Sequence, residues 1–217
     1  MRLAWAKLDE LAPNTITPPG YTYHALRRDD IAELCRLIKL WHPDMQVGSG
    51  SHYVDPDFYE NHVALDGVGN KENIVYVGTF EGDIVSAMAL QIHADAMTLY
   101  SRFGVCAPAH RGTGVTLFAG YVIDALASKM GIKMVYAHIT LKNRAMQQMS
   151  ERAGMRPVGI LPFSDIEYNA DGAPQYVAEA IYVKTYDNLS QLTPIDAANM
   201  TPALKKIWAA SLFNPEN

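Results

Sequence analysis

Residues 106–116 read CAPAHRGTGVT, an Arg-Gly-Thr-Gly turn set between an apolar strand pattern and an apolar helix pattern. The first N–H groups of a helix have no intrahelical acceptor and carry a partial positive charge, so such a turn can hold an anion, above all a phosphate. The candidate donors are the backbone N–H groups of Gly112, Thr113, Gly114, Val115 and Thr116, with Arg111 beside them. A plain strand-to-helix connection is the alternative. The turn is not a Walker loop, since no Gly-Lys-Ser/Thr follows, and not a dinucleotide fingerprint, since the third glycine position falls on Leu117. Elsewhere, His42, His52 and His62 lack the short, regular spacing of a metal site, so no metal is expected.

The elements around the turn follow from periodicity. Before it lie NIVYVGTF and DIVSAMALQI, joined around Glu81-Gly82-Asp83, then MTLYSRFGVC at 97–106; these three runs predict an antiparallel meander. After it, Val115, Phe118, Val122, Ala125 and Leu126 recur at helical spacing until Gly131, a C-cap residue. The strand KMVYAHIT at 133–140 follows, and strand, helix and strand of this length form a βαβ unit with parallel strands. A helix from Asn143 to Ala153, stopped by Gly154, precedes PVGILPF and YVAEAIYVKTY around the turn NADGAP. Upstream, YTYHAL predicts a strand. Asp29 and Asp30 stand at the mouth of a helix carrying Ile31, Leu34, Cys35, Ile38 and Trp41. The stretch 41–57 reads as a long polar loop, followed by a helix from about Pro56 to Leu65.

At the ends, Leu3, Leu8 and Leu11 suggest a short helix, broken by Pro13, Pro18, Pro19 and Gly20. The segment TPALKKIWAASLF predicts an amphipathic helix with Thr201 as N-cap, Pro202 in the first turn, and Leu204, Ile207, Trp208 and Leu212 on one face. The expected organisation is an N-terminal helix and Pro-rich linker over 1–20, one α/β (α+β) domain over 21–186, and a helical extension over 187–217.

With 217 residues, 49% hydrophobic and 19% charged, the chain has an ordinary globular composition and length enough for a substantial core. Its net charge of −5 and scattered basic residues argue against a nucleic-acid partner. Cys35 and Cys106 have no partner at metal or redox spacing and read as packing residues of a protein in the reducing cytoplasm. Lys7, Asp9 and Glu10 interrupt the N-terminus before any long apolar run, so neither a signal peptide nor a membrane span is expected.

The run PAHRGTGVTL at 108–117 resembles the acyl-CoA pyrophosphate loop of the GNAT superfamily of N-acetyltransferases, Arg/Gln-x-x-Gly-x-Gly/Ala. NRAMQQMSERAGM at 143–155 resembles the second block of that family, in which an Asn, an Ala and a terminal Gly-Phe frame a helix. Element order agrees over roughly Tyr21 to Tyr186. The resemblance implies a GNAT-like fold, a central mixed and mostly antiparallel sheet flanked by helices. It implies acetyl-CoA as co-substrate, and attack of a primary amine on the thioester in a direct ternary complex. Thr116 stands where the family prefers Gly or Ala, Met155 replaces Phe, and Ser150 replaces a frequent Tyr that protonates the leaving thiolate.

Residue by residue, the resemblance places the oxyanion donor on the strand before the turn, at Gly104, Val105 or Cys106, and a cofactor contact at Asn143. His138, near the end of the strand before Asn143, is the candidate base, with Ser150, another Tyr or solvent as proton donor. In this fold the 41–57 loop borders the acceptor pocket, so His42, Asp44 and Asp57 are candidate acceptor contacts, the carboxylates pairing with a cationic amine; Tyr100 is a candidate orienting group. The expected partners are a small-molecule or protein amine, and a second copy or another protein through the tail helix. A GNAT-fold module without catalysis, serving binding or structure, is the alternative suggested by Thr116, Ser150 and the tail helix.

Overall fold

The computed structural model describes residues 5–11, 17–186, 192–193 and 195–209. Seven strands form one sheet in the order β1-β2-β3-β4-β5-β7-β6. The strands are β1 Tyr21–Ala25, β2 Asn73–Phe80, β3 Asp83–His93, β4 Thr98–Cys106, β5 Met134–Thr140, β6 Arg156–Tyr168 and β7 Pro174–Thr185. The helices are α1 Leu8–Leu11, α2 Ile31–Trp41, α3 Pro56–His62, α4 Leu117–Met130, α5 Arg144–Arg152 and α6 Pro202–Ala209. All neighbouring strands are antiparallel except β4 and β5, which run parallel with α4 as their crossover. The architecture is the mixed, mostly antiparallel sheet flanked by helices that the pattern predicts.

Two packing layers make β2 apolar on both sides. Its Ile74 and Tyr76 join a core with Phe118, Val122 and Leu126 of α4, while Val75 and Val77 join a core with Leu34, Ile38 and Tyr59 from α2 and α3. A strand covered on both faces reads as a continuous apolar run. β5 differs: Val135, Ala137 and Ile139 are buried beneath the helices, whereas Tyr136, His138 and Thr140 are only half-buried on the opposite face.

The β2–β3 turn puts Glu81 at φ 53° and Gly82 at φ 95°, the paired positive φ of a two-residue type I′ hairpin. Gly131 closes α4 at φ 70°, as a left-handed C-cap. Thr201 caps α6, its Oγ1 accepting from the Leu204 N–H at 3.2 Å.

Several expectations change. Asp30 occupies the N-cap position of α2 but makes no side-chain capping bond; its carboxylate lies 3.1 Å from His24 Nε2, and a 3-10 turn over Arg28–Asp30 leads into the helix. The segment 41–57 is a chain of 3-10 turns over Pro43–Gln46 and Gly48–Val54, anchored by buried Tyr53 and tied to β6 through Ser49, whose N–H and Oγ donate to Asp165 at 2.8 and 2.6 Å. α3 ends at His62 rather than Leu65, because Val63 turns extended and bridges to Asn73. β6 and β7 outrun the expected strands: register shifts at Pro157/Gly159 and Leu161/Asp165 break the two-residue alternation that would have marked them. α6 keeps Leu204 and Ile207 exposed among the described residues. Leu3 and Leu212, used to predict the terminal helices, lie outside the described residues.

Candidate active site

β4 and β5 pair only from Thr98↔Met134 to Ser101↔Ala137 and then part. Beyond that point β4 continues against β3, with Phe103 opposite Ala89 and Cys106 opposite Ser86, while β5 continues against β7, with His138 opposite Ile181 and Thr140 opposite Glu179. The parting coincides with a β-bulge: Ala89 pairs with Phe103 and Leu90 with Ser101, which leaves Arg102 as the extra residue of β4. A bulge bends its strand and increases the local twist. From Phe103 onward β4 has no partner on its β5 side, so alternate N–H groups of the Gly104–Cys106 stretch face the gap.

Two cavities of about 610 and 460 Å³ meet at this gap and share Met88, Gly104, Thr116, Ala119, Met146 and Met149 as walls. The larger extends from Gly104, Val105 and Cys106 to Arg111, Gly112, Val115, Asn143 and the end of α2 at His42. The smaller extends from Arg102 and His138 to Ser150 and Gly154. A Cβ built on Gly104 would have no neighbour within 4 Å, so the bare backbone there faces open cleft rather than packed protein.

The turn at the mouth of α4 has the geometry of an anion cradle. Gly112 (φ 79°) and Gly114 (φ 93°) both take positive φ, which folds the chain so that successive N–H groups converge. Among the described residues the N–H groups of Gly112, Thr113, Gly114 and Thr116 have no internal acceptor; that of Val115 is 3.4 Å from Thr113 Oγ1. Thr113 Oγ1 itself donates to the His110 carbonyl at 2.8 Å, and Arg111 Nε donates to the Cys106 carbonyl at 3.4 Å, leaving the rest of the guanidinium toward the cavity it lines. Tyr23 holds the turn in place: its OH donates to the Val115 carbonyl at 2.8 Å, and its ring stacks on Phe118 at 3.6 Å. Thr116 occupies the N-cap position without a side-chain capping bond and lines both cavities. This donor set, the room at Gly104 and the adjoining cavities fit a pyrophosphate-bearing thioester laid between β4 and β5.

The other residues singled out from sequence divide. Asn143 caps α5, its Oδ1 accepting from the Met146 N–H at 3.0 Å, and it also lines the larger cavity. Ser150 is buried on α5 against the smaller cavity. His42 lines the larger cavity with its Nε2 buried and unpartnered; burial, reinforced by Arg111 and opposed by Asp44, holds its imidazole below the ordinary value. Asp44 and Asp57 line neither cavity, and Asp57 is exposed in the first turn of α3. Tyr100 packs on the half-open sheet face, its ring 4.6 Å from Tyr136 and 5.3 Å from His138.

The same face carries residues that sequence reasoning passed over. His138 Nδ1 lies 3.6 Å from Glu179 Oε2, an ion-pair separation longer than a hydrogen bond, and Ser164 Oγ donates to that carboxylate at 2.6 Å. Arg102 donates to Gln91 Oε1 at 2.8 Å and lies 5.1 Å from the Tyr100 ring centroid. His93 Nε2 and the Tyr136 OH are 3.0 Å apart. Burial pushes the Tyr100 phenol up to about 12, with Arg102 pulling it down and Glu179 adding to the rise. The signal for these groups was available: a charged residue inside TLYSRFGVC and another inside YVAEAIYV, both strongly apolar strand patterns.

No protein-family model and no curated protein matches the sequence. Solved structures do. A spermidine N-acetyltransferase variant from Vibrio cholerae is similar with a TM-score of 0.61 at 15% identity, over 79% of this chain and 97% of that one. A dodecameric spermidine N-acetyltransferase from the same organism gives 0.60 at 15%, over 81% and 99%. Mutant forms of the spermidine/spermine N-acetyltransferase of Vibrio cholerae give 0.60 at 16%, over 76% and 94%. Identity at this level speaks to architecture, and with the parted strands and the turn at the head of α4 it establishes that the chain has the GNAT-type acyl-CoA N-acyltransferase fold.

Proposed function

We propose that this protein is an N-acetyltransferase that moves an acetyl group from acetyl-CoA to a primary amine by direct attack in a ternary complex. The observation that carries the reading is the junction of the parted β4–β5 gap with the turn over Arg111–Thr116, where two adjoining cavities run from unpaired backbone N–H groups to His138. Similarity in fold to spermidine N-acetyltransferases supports it.

In this reading Arg111 and the N–H groups of Gly112 to Thr116 bind the pyrophosphate, and Asn143 and the Gly104–Cys106 edge hold the chain that leads to the thioester. Acetyl-CoA supplies an activated acyl group; the protein's part is to orient it and to manage protons. A backbone N–H of the unpaired β4 edge donates to the carbonyl oxygen as its charge grows. His138 takes the amine proton at Nε2, because Glu179 faces Nδ1 and favours the tautomer protonated there. Ser150 is the donor to the departing sulfur; a thiol with a pKa of about 8.5 is a good leaving group, so a weak donor suffices. His42, at the far wall of the larger cavity, is assigned to acceptor or cofactor contact in its neutral form.

The test is an acetyl-CoA-dependent thiol-release assay over a panel of primary amines. Amine-dependent release of CoA is the expected result; binding of acetyl-CoA with no release for any amine would instead favour the non-catalytic module.

A further inference from the structure

We propose that the amine accepted at this site also carries a carboxylate, as an amino acid or the α-amino acid end of a larger molecule does, and that Arg102 binds that carboxylate while Glu179 and His138 receive the amine. The inference rests on the acetyltransferase reading above and refines its acceptor. It starts from where the two charges stand. Arg102 is the bulged residue of β4, at the step where β4 leaves β5, and it lines the cavity that also holds His138. Its guanidinium has a neutral hydrogen-bond partner, Gln91, and an aromatic ring, Tyr100, but no carboxylate within ion-pair distance among the described residues.

A guanidinium removed in part from water and given no counter-ion is costly unless a ligand supplies one, and its planar fork suits a carboxylate. Glu179 lies on the same half-open face, opposite Thr140 on β7, and is held by Ser164 beside His138. The two charges do not pair with each other: Arg102 lies 5.1 Å from the Tyr100 ring centroid, while Glu179 stands beside His138, whose ring is 5.3 Å from that of Tyr100. Tyr53, from the segment between α2 and α3, packs its ring 4.1 Å from that of Phe103, the neighbour of Arg102, which brings the expected acceptor-side segment to the same strand. Opposite charges held apart by an aromatic platform match a dipolar molecule whose amine and carboxylate are a few bonds apart. A purely cationic amine would meet Arg102 as a like charge.

The experiment compares matched acceptors: phenylalanine with phenethylamine, lysine with cadaverine, and spermidine as a carboxylate-free polycation, all with saturating acetyl-CoA. The expected result is a kcat/KM at least about tenfold higher for the carboxylate-bearing member of a pair, with the gain mainly in KM. In Arg102→Gln that preference ratio should fall toward one, and Arg102→Lys, which keeps the charge but not the fork, should fall between. Because the readout is a ratio within one variant, a general loss of folding or turnover does not imitate it. Equal or better use of cadaverine or spermidine, or a ratio untouched by Arg102→Gln, overturns the inference and leaves the acetyltransferase reading intact. Failure to bind acetyl-CoA at all overturns both.

Discussion

At the scale of single residues, the proposed function draws on backbone N–H groups and side chains left without a partner among the described residues. Gly114 illustrates the point: its φ of 93° is needed for the turn, and its N–H has no acceptor among the described residues. Gly114→Asp should keep the positive φ, which Asp tolerates better than most residues, yet add a negative charge beside the proposed pyrophosphate site. Acetyl-CoA affinity by calorimetry should fall at least about tenfold while the unliganded melting temperature moves by only a few degrees; unchanged affinity would remove the anion site from this turn. His138→Ala should lower kcat/KM by about 10²-fold near neutral pH. The loss should shrink as pH rises toward the pKa of the amine, because a base is not needed for an amine already neutral. Tyr100, pushed up to about 12, stays protonated across that range and adds no inflection of its own. An identical pH–rate profile in wild type and variant would take the base role from His138.

At the scale of elements, the site exists because one strand pair comes apart. The bulge at Arg102 bends β4 as its pairing with β5 ends, and α4 then departs from the far end of β4. Tyr23 on β1 ties the head of α4 to the sheet through the Val115 carbonyl. Tyr23→Phe keeps the stack on Phe118 and loses the hydrogen bond, so unfolding free energy should drop by about 1 kcal/mol and acetyl-CoA should bind several-fold more weakly; chemical denaturation and calorimetry measure the two effects separately, and a stability loss without an affinity loss would show that the turn does not depend on Tyr23. Much at this scale was legible beforehand. The glycine turns, the meander, the βαβ unit and the C-cap at Gly131 are local signals, set by φ and by periodicity within a few residues. The extent of β6 and β7 was not, because bulges break alternation, and neither was the packing of 41–57, whose polar composition conceals Tyr53 and the Ser49–Asp165 tie to a strand more than a hundred residues away. The juxtaposition of Arg102, Tyr136, His138 and Glu179 depends on sheet order β4-β5-β7, a long-range outcome that residue spacing does not encode.

At the scale of the whole molecule, two cores lie on opposite faces of one sheet, and the cleft opens beside β4, which gives Leu99 to one core and Val105 to the other, while β5 packs on one face only. A ligand seated there touches β4, β5, α4 and α5 together, and so should stabilise the fold as a unit. A ligand that binds only the folded state at a hundred times its dissociation constant adds about 2.7 kcal/mol, several degrees of melting temperature for a chain of this size. Binding of acetyl-CoA by the parted strands and the Arg111–Thr116 turn together is measured by calorimetric titration of the protein with acetyl-CoA, read beside its thermal unfolding. A single saturable site and a melting temperature that climbs with ligand concentration are expected. An absence of heat and of stabilisation at millimolar acetyl-CoA would contradict that binding.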